Sequence, residues 1–330
     1  MKKALWIGML AAMVMALALG AAPAMAKTYR VSIGGGPTGG TFQYFANAMS
    51  VYVPKVFPDI KMSAEGSGGS AENLKRINAG DFDFGISYAG DIYLGAIGQL
   101  PKDDKKYTKV RVMGYLYGAP AQLVVKKAAG IKSAKDLAGK KIAVGNAGSG
   151  AALSAERFFK HLGIWDKIQP QFLGYSAAAS AFKDGKIDAF WVLVGYPNAS
   201  IIEAATQEEV ALVNVGLDAE ASGFYKAYPF YAPATIPANT YSGQTEPVKS
   251  FQDSALLVCS SGLDEAMVYN IMKAVWSKDG LDYMVKAHKA ARSMTIENGY
   301  TGASRPLAAG AAKFWAEQGK KIPDDLKPVK

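Results

Sequence analysis

The residues best suited to chemistry in this chain are hydroxyls set among glycines. The stretch Val31 to Ala48 reads VSIGGGPTGGTFQYFANA and carries Thr38 and Thr41 beside Gly34, Gly35, Gly36, Gly39 and Gly40. A second small-residue turn, Gly66 to Ser70, leads to Ser70 and Asn73, and a third, Gly145 to Gly150, holds Ser149. Glycine lets a backbone turn sharply and come close to a ligand. Each turn runs into a helix pattern, whose start offers unpaired N–H groups and the positive end of its dipole. Hydroxyls and N–H groups arranged in this way suit an anion, either a carboxylate or a phosphate.

Other chemistries find less support. Gly34, Gly36 and Gly39 satisfy the spacing G-x-G-x-x-G of a dinucleotide loop, but the acidic residue that should follow, Glu65, comes later than expected. His161 and His288 are the only histidines and lie on helix patterns away from the glycine turns. The sequence holds no H-E-x-x-H, no C-x-x-C and no paired carboxylates, so no metal or cofactor is expected. An acidic loop able to supply the oxygens of a calcium site is also missing. Gly148-Ser149-Gly150 departs from the G-x-S-x-G of a hydrolase elbow. A secreted hydrolase using Ser149 is the alternative reading. Cys259, the sole cysteine, sits in an apolar strand pattern and is expected to be a buried, inert thiol.

The elements that must hold these turns alternate between strand and helix. Tyr29 to Ile33 is a strand pattern, Ile60 to Ala64 a second, and Phe82, Phe84 and Ile86 a third ending at Ser87. Ser70 is placed to cap a helix over Ala71 to Asn78, which Gly80 stops. Lys109 to Tyr117 reads as a strand interrupted at Gly118-Ala119-Pro120 and resumed over Ala121 to Lys126. Strand, glycine turn and helix then recur at Ile142 to Val144, Gly145 to Gly150 and Ala151 to Leu162. A helix over Ala177 to Asp184 and a strand over Ile187 to Val194 follow. Tyr228 to Tyr241 (YPFYAPATIPANTY) reads as a second crossing between domains. The remainder holds a strand at Leu256 to Val258 and helices over Leu263 to Lys278 and Gly280 to Ala291. Two matching strand–turn–helix units, one per domain, predict a cleft with the glycine turns facing each other.

Met1 to Ala26 has the basic start, apolar middle and Ala24-Met25-Ala26 end of an export signal removed after Ala26. No later stretch reaches the ~18 apolar residues of a membrane span. An exported protein does not meet NAD or ATP, which weighs further against a nucleotide. The formal net charge is +9, and half of the residues are hydrophobic. Basic residues are scattered, and the densest run, Lys102 to Lys109, contains acids, so nucleic acid is not an expected partner.

Taken in order, GGGPTGGTF, EGSGGSAENLKRINAGDFDFGIS, KSAKDLAGKKIAVGNAGSGA, DGKIDAFWVLVGYP, IPANTYSG and LDEAMVYNIMKAVW resemble the TAXI-type solute receptors of tripartite ATP-independent periplasmic (TRAP) transporters. The resemblance spans essentially the whole mature chain. It implies an α/β fold, the two-lobed type II periplasmic binding protein, each lobe a mixed sheet flanked by helices. Residues 27–118 with 230–330 would form one lobe and 119–229 the other. It also implies a periplasmic monomer, not an enzyme, that takes a small carboxylate (glutamate, glutamine, 2-oxoglutarate or similar) to a TRAP membrane permease. A sensory receptor would share that chemistry. Positions implied to touch ligand are Thr38, Gly39, Gly40, Thr41, Gly68, Gly69, Ser70, Asn73, Ser87, Tyr117, Ser149, Gly150, Ala151 and Trp191. Two places depart from the family pattern. Gly118-Ala119-Pro120 stands where Pro-Glu often follows the tyrosine, and Ser87-Tyr88-Ala89-Gly90-Asp91 where Gln-Ser-Asp is common. Both bear on the ligand rather than on the fold.

Overall fold

Apolar residues on alternate positions of β1 (Tyr29–Gly34) and β2 (Ile60–Glu65) bury one face of each strand. The computed structural model describes residues 27–101 and 103–329; the expected export signal, Met1 to Ala26, lies outside them. Helix α1 (Thr41–Val56) joins the two strands, and α2 (Ser70–Ala79) leads to β3 (Phe84–Tyr88), buried on both faces, and on to α3 (Ala89–Ile97). β1 pairs in parallel with β2 and with β3, so the turns after all three strands open at one sheet edge. That edge is where open α/β sheets bind ligands. Gly80, left-handed at φ 93°, ends α2 as expected.

The strand expected to break at Gly118-Ala119-Pro120 does not break. β4 (Val110–Lys126) runs unbroken for 17 residues. What changes at Pro120 is its partner. Up to Pro120 it pairs with β10, and from Ala121 it pairs with β7. The change of neighbour falls at the residue that has no N–H to donate to a ladder. β4 is thereby shared by two half-sheets.

The second half is built from β5 (Lys141–Ala143), α4 (Gly150–His161), β6 (Gln169–Gln171), α5 (Tyr175–Lys183) and β7 (Ala189–Leu193). The short α6 (Ala199–Ala204), β8 (Val210–Leu212), α7 (Val215–Ser222) and α8 (Phe224–Ala227) follow. The chain returns through β9 (Ala232–Ile236) and β10 (Val248–Ser260), a 13-residue strand of which the sequence reading had only the end. The strand order is β2-β1-β3-β10-β4-β7-β5-β6, with β8 beside β4 and β9 beside β10. Helices α9 (Glu265–Val275), α10 (Lys278–Ala287) and α11 (Ala309–Glu317) pack on the first half. The last is tied down by the Trp315 indole, which donates to the Met113 carbonyl at 2.7 Å. α10 stops before the expected Ala291 because His288 turns extended. Its Nδ1 accepts from Ala290 N at 3.1 Å and starts a 3-10 turn, Lys289–Ser293.

Each half has its own aromatic core. Trp191 stacks on Phe158 and meets Phe159 and Phe251, whereas Trp276, Phe314 and Tyr300 surround Trp315. Cys259 is fully buried, and burial pushes its thiol up to about 12.

Candidate functional site

Four helices begin around one small space between the halves: α1 after Gly40, α2 after Gly69, α4 after Ser149 and α5 after Gly174. Only α4 has a side-chain cap, Ser149 Oγ accepting from Ala152 N at 3.0 Å. The other three starts leave N–H groups unclaimed by any cap, and all four dipoles put positive charge at this place. The space measures about 20 Å³, room for roughly one water. Its lining holds no Lys or Arg, so any attraction for an anion comes from N–H groups, hydroxyls and dipoles.

The glycines let the halves meet here. A Cβ on Gly150 would run into the Tyr88 ring and lie 2.8 Å from Ser70 Cβ. Gly69 takes φ 115°, which only glycine adopts without strain, and brings its backbone beside Pro37 and Ser149.

Of the residues expected at the site, Gly40, Thr41, Gly68, Gly69, Ser70, Ser149, Gly150 and Ala151 come together around this space. The others stand elsewhere. Thr38 is exposed at the rim, its carbonyl accepting from Ser176 Oγ at 3.4 Å. Gly39 turns away from the space. Its N–H reaches Gln43 Oε1 at 3.2 Å and its carbonyl accepts from Asn198 Nδ2 at 3.0 Å. Asn73 is a strut, donating to the carbonyls of Gly34, Gly35 and Ile86. Ser70 is not the expected cap. It is the first residue of α2, and its Oγ accepts from Tyr88 N at 2.9 Å and bonds Ser87 Oγ at 2.8 Å. Ser87 is therefore spent on holding Ser70. Trp191 is not on the cleft, because every residue of β7 is buried and its indole donates to Ser154 Oγ at 2.9 Å inside the second core.

Tyr117 stands behind the space. Its hydroxyl lies beside those of Thr41 and Tyr88, and neither it nor Thr41 Oγ1 has a hydrogen-bond partner among the described residues. Burial raises the phenols of Tyr117 and Tyr88, so both stay protonated and can donate. Tyr88 was missed as a contributor because it sits one residue past the expected strand end. Its hydroxyl bonds the Leu193 carbonyl in the opposite half, which Tyr175 also reaches at 3.2 Å.

A second missed feature lies deeper in the seam. Arg157, on α4, donates to Asp91 Oδ1 at 2.7 Å and to Tyr231 at 3.1 Å. Both members of this ion pair are nearly fully buried. Desolvation disfavours the guanidinium, but Tyr231 and Asp91 outweigh it and raise its pKa. Asp253 lies next to them, fully buried and accepting from Gly90 N at 3.3 Å. Its carboxyl is pushed well up, first by burial and then by Asp91, against the pull of Arg157.

A hydrolase needs a base near Ser149, whose hydroxyl is instead a helix cap. His161 is bonded to the Ser222 carbonyl at 2.9 Å, and His288 accepts from Ala290 N. No group of three metal-ligating side chains occurs among the described residues, nor any helix long and apolar enough to cross a membrane.

A family model described as the NMT1-like family matches residues 33–319. Malate-bound MatC from Rhodopseudomonas palustris is similar in structure, with a TM-score of 0.53 at 15% identity over 87% of this chain and 97% of that one. A protein from Bordetella bronchiseptica RB50 scores 0.52 at 18% identity over 91% of each chain. The periplasmic binding protein BugD scores 0.51 at 11% identity, over 88% of this chain and 96% of its own. Likeness at these identities speaks to the fold, which is the two-lobed type II periplasmic binding protein.

Proposed function

Because this chain belongs to the NMT1-like family and has a binding-protein fold, we propose that it is an extracytoplasmic receptor for a small carboxylate. The carrying observation is the convergence of helix starts from both halves on one space free of charged side chains. N–H groups from α1 and α2 would hold the carboxylate from one side and those of α4 and α5 from the other. Thr41, Ser70 and Tyr88 would shape the contact, and Gly40, Gly68, Gly69, Gly150 and Ala151 would let the backbone come close. A donor set without a cation favours a group of low charge over a phosphate dianion.

In this reading residues 27–118 and 230–330 form one lobe and 119–229 the other. Met1 to Ala26 directs export to the periplasm, and the loaded receptor docks on a TRAP-type permease. Glutamate, glutamine and 2-oxoglutarate are the first ligand candidates, and malate joins them because MatC holds it. A space of about 20 Å³ admits the carboxylate head but not the body of such a molecule, so the lobes must part to take it in.

A thermal-shift panel on protein refolded from denaturant tests the proposal, with these acids, sugars and phosphate as arms. A ligand at about 100 times its dissociation constant adds about 2.7 kcal/mol. A shift with one carboxylate alone is the expected result. Shifts with sugars or phosphate only would remove the carboxylate from the reading, and a flat panel would remove the receptor.

A further inference from the structure

A second and far roomier cavity lies apart from the glycine-turn space, and the two share no lining residue. It measures about 710 Å³ and lies between β4, β9 and β10, the segment Gly195–Pro197 and the turn Lys289–Ser293. Small-molecule sites typically occupy ~300–1,000 Å³, so its size calls for a reading of its own.

Its lining is one-sided in charge. Lys289 and Arg292 both border it, neither forms an ion pair among the described residues, and no carboxylate side chain lines it. A cleft walled by one sign of charge concentrates ligands of the other. Tyr115 and the half-buried Tyr196 border it together with Pro197, Pro233 and Ala234. The site is also built by its backbone. Gly118 leaves the room that the Gln252 amide fills, since any Cβ there would overlap it. Asn239, the one non-glycine residue at positive φ among those described, borders the cavity with φ 61°. A residue held in the left-handed region points to a place where backbone shape matters more than local comfort. Asn239 and Thr240 come from the motif IPANTYSG, which the glycine-turn site does not use.

We propose that this cavity is a second ligand site, for a hydroxylated organic carboxylate. Lys289 and Arg292 take its acid group, Tyr115 and Tyr196 cover its flat face, and Gln252, Asn239 and Thr235 meet its hydroxyls. An aromatic hydroxy acid and a sugar acid share this chemistry. The site stands independently of the proposed receptor function, because its two cations, Lys289 and Arg292, border this cavity and not the glycine-turn space.

Calorimetric titration of the full mature chain tests it with 4-hydroxybenzoate and glucuronate, each beside its uncharged counterpart, 4-hydroxybenzyl alcohol and glucose. At least one acid should bind saturably and about tenfold more tightly than its counterpart, as hydrogen bonds to a charged group imply. Which acid binds names the source. The double variant Lys289→Gln/Arg292→Gln changes two exposed side chains and should weaken that acid by about tenfold or more. Ser149→Ala, in the glycine-turn site, should leave it unchanged. The proposal is overturned if neither acid saturates the protein or if the double variant binds as the parent does. It is equally overturned if Ser149→Ala, and not the double variant, loses the acid.

Discussion

At Gly150 a single hydrogen atom decides whether the two lobes can meet. The position begins α4 with Tyr88 and Ser70 of the other lobe pressed against it, and a methyl group there has nowhere to go. Alanine favours a helix over glycine by up to about 1 kcal/mol, so Gly150→Ala should not unfold α4. The expected outcome is a chain of undiminished thermal stability that binds the ligand identified by the thermal-shift panel about tenfold or more weakly, with a larger radius of gyration in solution scattering. An unchanged affinity would mean that the seam yields to a methyl group. The glycine turns were legible because glycine between a strand and a helix is a pattern in the chain itself. Trp191 was not, because a strand buried on both faces carries no alternation to separate cleft from core. Ser70 misled for a related reason. Its sequence context is that of a cap, and only the fold supplies the competing partners Ser87 and Tyr88.

Between elements, the cluster of Arg157, Asp91 and Asp253 ties α4 to α3 and β10. The sequence does not announce it: Asp91 ends the stretch that departs from the family pattern, but Arg157, its partner 66 residues on, belongs to no motif. Removing one partner of a buried pair leaves an uncompensated charge, at a cost of about 3–5 kcal/mol. Arg157→Met should therefore lower stability by about that amount in urea unfolding, and Arg157→Met with Asp91→Leu should recover most of it. Asp253 sets a pH dependence of unusual sign. Its folded pKa is raised from 3.8, so the native state keeps a proton that the unfolded chain releases. The contribution to stability is full below the unfolded value and is lost as pH rises through the raised folded value. Asp253→Asn, a neutral side chain that can still accept from Gly90 N, should gain on the parent progressively with rising pH. Urea midpoints of both proteins in acid and alkaline buffers measure this, and parallel curves would show that Asp253 titrates normally. The long β4 shows how a fold overrides a local signal. Gly118-Ala119-Pro120 reads as a break, yet pairing on both sides of Pro120 keeps the strand continuous while its neighbour changes.

Over the whole molecule, the polar contacts across the seam include Asn198 to Gly39, Ser176 to Thr38, Tyr88 to Leu193, and Arg157 to Asp91. A ligand larger than the 20 Å³ space can reach the helix starts only when these contacts part, so the fraction of open molecules should govern how fast it binds. Asn198 offers a clean way to change that fraction. Its Oδ1 caps α6, accepting from Ser200 N at 3.0 Å, while its Nδ2 crosses the seam to the Gly39 carbonyl. Asn198→Asp keeps the capping oxygen and replaces the donor with an acceptor facing a carbonyl. Losing a net hydrogen bond of about 1 kcal/mol shifts the opening equilibrium about fivefold. Stopped-flow binding of the carboxylate found in the panel should then show association and dissociation both accelerated, each by up to about that factor, with a smaller change in affinity. An association rate equal to the parent's would mean that the ligand reaches the helix starts without the seam opening, and the gating role assigned to these contacts would fall.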